Sequence, residues 1–200
     1  MNRAFDVVLP KRQETLDFFV LCTAKYGMFS VIIQARSHPM ALAATLGPLV
    51  RGVVEGLVGS ATLVSSHDAA DIREIADSAG CRVLVAASWA EGFARTVANT
   101  AGAPLLVVDN GVLLGQEFWP ILADHLPLLG DQPAATRAAK PTSTLARIFG
   151  ASQGVVSPDQ VLLLPGSVSR VIAQAKMDPW QFRFGDRLVI LPAETRRVQE

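Results

Sequence analysis

The stretch from Pro104 to Leu114, PLLVVDNGVLL, decides the fold predicted for this chain. Five apolar residues lead into Asp109, Asn110 and Gly111 follow as a turn, and apolar residues then resume. A short apolar run bounded by proline and by Asn-Gly is typical of a buried central strand. Its last residue would place a carboxylate at the carboxyl edge of the sheet, where open α/β sheets bind ligands. An Asp-Asn-Gly turn is also common after any strand, so position alone does not establish a site.

Strands and helices alternate before this stretch. Three further strands are predicted because their residues are apolar and rich in β-branched side chains: Phe29 to Gln34, Ala61 to Ser66 and Cys81 to Ala86.

Helices are predicted between these strands. The helix between the first and second strands should kink at Pro48. Asp68 is expected to cap the helix after the second strand, which should end at Gly80. Ser88 and Glu91, three residues apart, predict a capping box for the third. The alternation favours an α/β fold with a mostly parallel central sheet and helices on both faces, which makes a three-layer sandwich.

The pattern weakens after Gly115. A helix is predicted around Phe118 to His125, and a long surface loop is predicted from Pro127 to Pro141 because this segment is rich in Gly, Pro and Ala. Two apolar runs and one amphipathic segment are expected to complete the sheet and one helix: Val161 to Leu164, Leu188 to Leu191 and Ser167 to Lys176.

Composition limits the classes of protein that the chain can represent. Half of its 200 residues are apolar, which predicts one domain with a sizeable core over residues 28–193. Eighteen basic residues balance eighteen acidic ones, so a broad nucleic-acid-binding surface is not expected. Two cysteines, Cys22 and Cys81, favour small buried apolar residues in a reducing compartment, and a cytoplasmic location is therefore predicted.

The two ends of the chain are predicted to lie outside this domain. Residues 1–27 hold one apolar cluster, which is too short to span a membrane and has no cleavage site after it. Because Met28 directly precedes the first strand, this extension is either an appended helix or the product of an upstream start codon, and the sequence leaves both open. The charged residues 194–200 are predicted to be a frayed tail.

Three segments together resemble a known family. These segments are SVIIQARSHPMALAATLGPLV (30–50), ATLVSSHDAADIREIADSAGCRVL (61–84) and AEGFARTVANTAGAPLLVVDNGVLL (90–114). Their order and spacing are similar to the nucleotide-binding half of family 2 glycosyltransferases, over about residues 28 to 120, in a short bacterial form with degenerate motifs. The resemblance implies a GT-A-like fold, a nucleotide-diphospho-sugar donor, inverting transfer to an unknown acceptor, and Mg²⁺ or Mn²⁺ as cofactor.

The resemblance also implies a set of site residues. The family's base-binding aspartate falls on Ser65 or Ser66, and its Asp-x-Asp motif falls on Asp109, Asn110 and Gly111. Glycine therefore stands where the family holds the cation, and Asp109 is the remaining candidate metal ligand. The implied substrate-binding set is Ala35, Arg36, Ser65, Ser66, Arg95, Asp109 and Gly111. Arg95 matches an arginine that could face the diphosphate, although an arginine on a helix is more often solvated.

An inverting transferase needs a base that deprotonates the acceptor hydroxyl. Asp186 in RFGDRL is the predicted base, and Asp178 and Asp159 are further candidates. Two functions stay open: a glycosyltransferase, or a catalytically inactive GT-A-fold protein that binds a nucleotide or another protein. A nucleotidyltransferase is a weaker alternative, because it would need a glycine-rich basic loop after the first strand, where only Arg36 is present.

Overall fold

The computed structural model describes residues 28–36, 38–138 and 156–198, so the predicted extension over residues 1–27 lies outside the described residues. The predicted alternation of strands and helices is confirmed. The elements in chain order are β1 (Phe29–Gln34), α1 (Pro39–Leu46), α2 (Leu49–Val54), β2 (Val58–Ser65), α3 (Ala70–Ser78), β3 (Arg82–Val85), α4 (Trp89–Asn99), β4 (Leu105–Asp109), β5 (Val112–Leu114), α5 (Phe118–Leu129), β6 (Ala134–Ala138), β7 (Leu162–Leu164), α6 (Gly166–Gln174), a 3₁₀ turn (Gly185–Arg187) and β8 (Val189–Arg197).

The described strands form one mixed sheet in the order β3-β2-β1-β4-β7-β6-β8-β5. Strands β1 to β4 are parallel to one another, and β6 is parallel to β8. Strand β7 runs antiparallel to β4 and β6, and β5 runs antiparallel to β8. The chain moves from β1 to β2 on one side and later adds β4 on the other side of β1. This reversal of direction makes the boundary between β1 and β4 a topological switch point.

Successive residues of the central strands pack into two separate apolar cores. In β4, Leu106 and Val108 join the core under α1, α2, α3 and α5, while Leu105 and Val107 join the core under α4 and α6. Side chains of a strand point alternately to opposite faces, so a strand that is apolar throughout needs a helix layer on each side. The sequence prediction of three layers is therefore confirmed.

Two local capping predictions have different outcomes. The Ser88 hydroxyl accepts a hydrogen bond from the Glu91 amide at 3.2 Å, and the Glu91 carboxylate accepts one from the Ala87 amide at 3.1 Å. The predicted capping box is thus confirmed, except that the Glu91 carboxylate accepts from the amide of Ala87 rather than from that of the N-cap residue Ser88. The prediction for Asp68 is wrong, because Asp68 pairs with the Arg73 guanidinium and α3 begins without a side-chain cap.

Two predictions for the C-terminal half are also wrong. Helix α5 continues through Pro127 to Leu129, and β6 follows where the sequence analysis predicted a loop. Residues 139–141 of that predicted loop lie outside the described residues. Strand β8 extends to Arg197, so residues 194–197 belong to the sheet rather than to a tail. Buried Leu191, Ala193 and Thr195 alternate with exposed residues and hold this strand against the core.

Two further observations bear on the predictions from composition. Cys81 is half-buried, and this burial raises the pKa of its thiol, which agrees with a role as a small apolar residue. Cys22 lies outside the described residues. Among the described helices, none is both long enough and apolar enough to span a membrane.

Candidate functional site

The predicted site lies at the carboxyl edge of the sheet, on the switch point between β1 and β4. Gln34 at the end of β1 and Asp109 at the end of β4 are direct partners in the parallel register. The residues that follow β1 therefore meet the end of β4 at this edge. Ala35 and Arg36 come together here with Asp109, as the sequence analysis predicted.

Asp109 is an ion-paired carboxylate with no exposed side-chain surface. Its Oδ2 accepts a hydrogen bond from Nη2 of Arg197. Its Oδ1 lies 3.2 Å from Nε of Arg36, which is close enough for an ion pair, but it has no aligned hydrogen-bond donor among the described residues. A buried carboxylate requires such partners because its charge is costly to remove from water. Both oxygens of Asp109 therefore face guanidinium groups.

Arg197 connects Asp109 to a second carboxylate. Its Nε lies 2.8 Å from Oδ1 of Asp159, and its Nη2 also donates to the backbone carbonyl of Pro158 at 3.3 Å. Asp159 is partly exposed, and its own carbonyl accepts a hydrogen bond from Thr195 on β8 at 2.7 Å. Three acceptors thus hold the Arg197 guanidinium in one position at the end of β4.

Gly111 has a backbone role in the turn between β4 and β5. Its φ of +84° lies in the left-handed region, where an aspartate would be strained. Its amide donates to the Thr45 hydroxyl of α1 at 2.9 Å, and its carbonyl accepts from the Val198 amide at 2.8 Å. Gly111, which the resemblance placed at the last position of an Asp-x-Asp motif, therefore fixes the turn and connects it to α1 and to the end of β8.

A groove beside Asp109 opens along the carboxyl ends of β1, β2 and β3, with a volume of about 380 Å³. We call it the rim groove, and it is lined by Gln34, Ala35, Arg36, Val64, Ser65, Ser66, His67, Ala86, Ser88 and Trp89. Four of the predicted substrate-binding residues are among these: Ala35, Arg36, Ser65 and Ser66. Polar side chains beside an aromatic ring in a concave groove are typical of a small-molecule site.

The two serines differ in what they can offer a ligand. Ser65 is buried, and its hydroxyl donates to the carbonyl of His67 at 2.7 Å, so this hydroxyl shapes the turn after β2. Ser66 is exposed, and its hydroxyl lies 3.2 Å from Nδ1 of His67. Of the two serines that line the rim groove, Ser66 is therefore the more accessible to a ligand.

Two predicted site residues do not join this group. Arg95 on α4 donates to the carbonyl of Val85 at 3.0 Å and lies 3.7 Å from Glu91, and it is not among the described residues that line the rim groove. Asp186 is exposed and lies at the amino edge of the sheet, because the strand registers place the start of β8 level with the start of β4. The nine residues of β8, at about 3.3 Å each, separate Asp186 from Asp109. This position argues against Asp186 as the base.

Sequence reasoning missed Arg197. It assigned Trp89 to the core, and Trp89 does pack against the core under α4 and α6, but it also lines the rim groove. The alternation of Leu191, Ala193 and Thr195 was the available signal for a strand that continues to Arg197. Trp89 follows the capping residue Ser88, is half-buried and lines the rim groove. The first residue of a helix that follows a parallel strand lies at the carboxyl edge, and this position was the signal for Trp89.

The described residues at the rim do not form a ligand set for a divalent cation. Such ions need several anionic or carbonyl oxygens around one point. Both oxygens of Asp109 face arginines, Gly111 offers no carboxylate, and no group of three or more His, Cys, Asp or Glu side chains suited to a metal occurs in the described ranges. The arrangement is instead an alternating cluster of two carboxylates and two guanidinium groups.

Comparison with solved structures shows the fold. The chain is similar to glucosyl-3-phosphoglycerate synthase from Mycobacterium tuberculosis in complex with Mn²⁺, UDP and glucosyl-3-phosphoglycerate, with a TM-score of 0.65 and 14% identity, covering 96% of this chain and 79% of that one. The same enzyme with Mn²⁺, UDP-glucose and phosphoglyceric acid gives a TM-score of 0.66 and 15% identity, covering 97% and 79%. Its complex with Mg²⁺ and UDP gives a TM-score of 0.65 and 15% identity, covering 92% of this chain and 76% of that one. The chain therefore has a GT-A-like α/β fold.

Comparisons of sequence add no family assignment. No protein-family profile matches the chain, and no curated protein matches it. At 14 to 15% identity, the structural likeness establishes the architecture and leaves the function to be argued from the site.

Proposed function

We propose that this chain binds a nucleotide-diphospho-sugar in the rim groove and transfers its sugar to an acceptor hydroxyl with inversion of configuration. The observation that carries the proposal is the position of the groove at the carboxyl edge of the sheet, where Arg36 lines it, in a fold whose solved neighbours hold UDP or UDP-glucose. Ligands of open α/β sheets bind at this position.

The groove offers different chemistry at its two ends. Trp89 and Ser66 offer an aromatic surface and a hydroxyl, which suit the flat, polar nucleobase. Arg36 at the other end offers a planar cation, which suits a diphosphate. A nucleoside diphosphate placed along the groove would satisfy both ends, and its sugar would then extend toward Asp109 and Asp159.

A catalytically inactive nucleotide-binding protein is the second candidate. The observation in its favour is that both carboxylates at the rim, Asp109 and Asp159, are paired with Arg197. A general base must be able to accept a proton from the acceptor hydroxyl, and both of these carboxylates already face the Arg197 guanidinium. Asp159 is the better placed of the two for that role because it is partly exposed.

A divalent cation is compatible with the fold, because the neighbours were crystallised with Mn²⁺ or Mg²⁺ together with UDP. Asp109 is not proposed as its ligand, since both of its oxygens face arginines. The expected absence of a nucleic-acid partner and the cytoplasmic location stay predictions from composition.

Thermal unfolding with and without UDP-glucose tests donor binding. At a ligand concentration of 100 times Kd, a bound ligand adds about 2.7 kcal/mol to stability, which corresponds to a rise in Tm of about 5–10 °C for a domain of this size. Ser66→Trp should fill the groove and abolish the rise, whereas Ser78→Trp, on the exposed end of α3, should leave it unchanged.

The outcomes separate the candidates. If Tm did not rise with UDP-glucose, GDP-sugars or UDP, with or without Mn²⁺, both the transferase and the inactive nucleotide-binding protein would be contradicted. A rise without release of UDP in the presence of phosphoglyceric acid or other hydroxyl acceptors would favour the inactive binding protein. Release of UDP that depends on an acceptor would establish the transferase.

A further inference from the structure

We infer that Arg36 and Arg197 bind the diphosphate of the nucleotide in place of a divalent cation. This inference rests on the proposed function and specifies how the rim neutralises the ligand. The resemblance implies a divalent cation beside Asp109, but two guanidinium groups lie there instead, Arg36 from the segment after β1 and Arg197 from the end of β8.

The charge balance of the cluster supports this substitution. Two carboxylates and one divalent cation carry no net charge, and neither do Asp109 and Asp159 with Arg36 and Arg197. The local charge that an incoming diphosphate meets is therefore the same in the two arrangements. A guanidinium group offers five N–H donors in a planar fork that matches phosphate oxygens, so it also replaces the directional contacts of a cation.

The two arginines are held for this role in different ways. Arg36 lines the rim groove, its Nε faces Asp109, and 52% of its side chain is exposed. Arg197 is 38% exposed and is fixed by Asp109, Asp159 and the Pro158 carbonyl. A group that is already held by its neighbours loses little freedom when a ligand binds, which favours affinity. Arg36 thus lines the groove, and Arg197 is fixed on the other oxygen of Asp109, next to the described lining of the groove rather than in it.

A divalent cation could not take the same position without moving these groups. The buried Asp109 has no exposed surface through which a third partner could reach it. Displacing Arg197 would also release Asp159 from its 2.8 Å contact. The pairs already present therefore occupy the place that a metal ion would need.

Isothermal titration of the full chain with UDP and UMP, in EDTA and in Mn²⁺, tests the inference. We expect the Kd for UDP to change by less than about twofold between EDTA and Mn²⁺. Arg36→Gln should weaken UDP binding by about tenfold, equivalent to about 1.4 kcal/mol, and should weaken UMP binding less. Arg36→Lys should restore part of the loss because it restores the charge.

Arg196→Gln is the matched control. It neighbours Arg197 on β8 but lines a separate cavity beside α5, so the Kd for UDP should be unchanged. Because Arg36 is half-exposed, its variants are expected to fold, and their thermal unfolding without ligand checks this.

The results distinguish the inference from the function on which it rests. Binding of UDP only in Mn²⁺, or equal binding by the wild type and Arg36→Gln, would overturn the inference and leave donor binding intact. Failure of UDP to bind in either buffer would overturn both.

Discussion

Replacing Arg197 with methionine is expected to lower the free energy of unfolding by about 3 kcal/mol, the lower end of the range for breaking a buried ion pair. Asp109 has no exposed surface and loses its hydrogen bond from Nη2, and Asp159 loses its partner as well. Arg36 remains beside Oδ1 of Asp109, which is why the lower end applies. Urea unfolding of wild type and variant at pH 7 measures the difference. Domains are stable by about 5–15 kcal/mol in total, so the loss is large.

Two further variants make this result specific. Arg196→Met removes an exposed arginine from the next position and should change stability by no more than about 0.5 kcal/mol. The double variant Asp109→Asn with Arg197→Met should recover at least about 1 kcal/mol relative to Arg197→Met, because it no longer buries a charge that has lost one of its two guanidinium partners. If Arg197→Met and Arg196→Met were equally stable, the pair with Asp109 would not exist in solution.

The second large effect is expected for Gly166→Ala, which should lower the free energy of unfolding by about 3 kcal/mol, the upper end of the cost of overpacking. A Cβ atom at this first position of α6 would come within 1.9 Å of the carbonyl oxygen of Gly102, in the turn that leads into β4. Both groups are backbone, so no side chain can rotate to relieve the contact. Urea unfolding measures the cost.

Gly47→Ala is the control for that substitution. Gly47 has a helical φ of −50°, and the nearest atom to an added Cβ lies 3.7 Å away. The change should therefore be neutral or stabilise by about 0.4–1 kcal/mol, because it restricts the unfolded chain. Equal destabilisation by both substitutions would show that the close approach of Gly166 to Gly102 is absent.

The parts of the fold that were predicted from the sequence depend on local signals. The apolar run that ends at Asp109 and the capping box at Ser88 each lie within a few residues, and both are confirmed. The mostly parallel sheet followed from the alternation of strands and helices, whereas the strand order that makes the switch point is known only from the structure. The position of Ala35 and Arg36 beside Asp109 was predictable for the same reason.

The missed parts depend on contacts between distant residues. Strand β6 lies in a segment rich in Gly, Pro and Ala, and it is a strand because β7 and β8 pair with it. The helix that contains Pro127 persists because the flanking Leu126 and Leu129 are buried in the core. Arg197 pairs with Asp109 across 88 residues of sequence, and no local pattern indicates such a partner.

Amide chemical-shift mapping of the ¹⁵N-labelled full chain with UDP tests donor binding at the rim groove most directly. Saturating UDP is expected to shift the amides of Ala35 and Ser66 and the indole N–H of Trp89. It should leave unchanged the amides around the separate cavity at the amino edge, which Gly102 and Gly166 line. Shifts concentrated at that amino-edge cavity, or no shifts at saturating UDP, would contradict the proposed site.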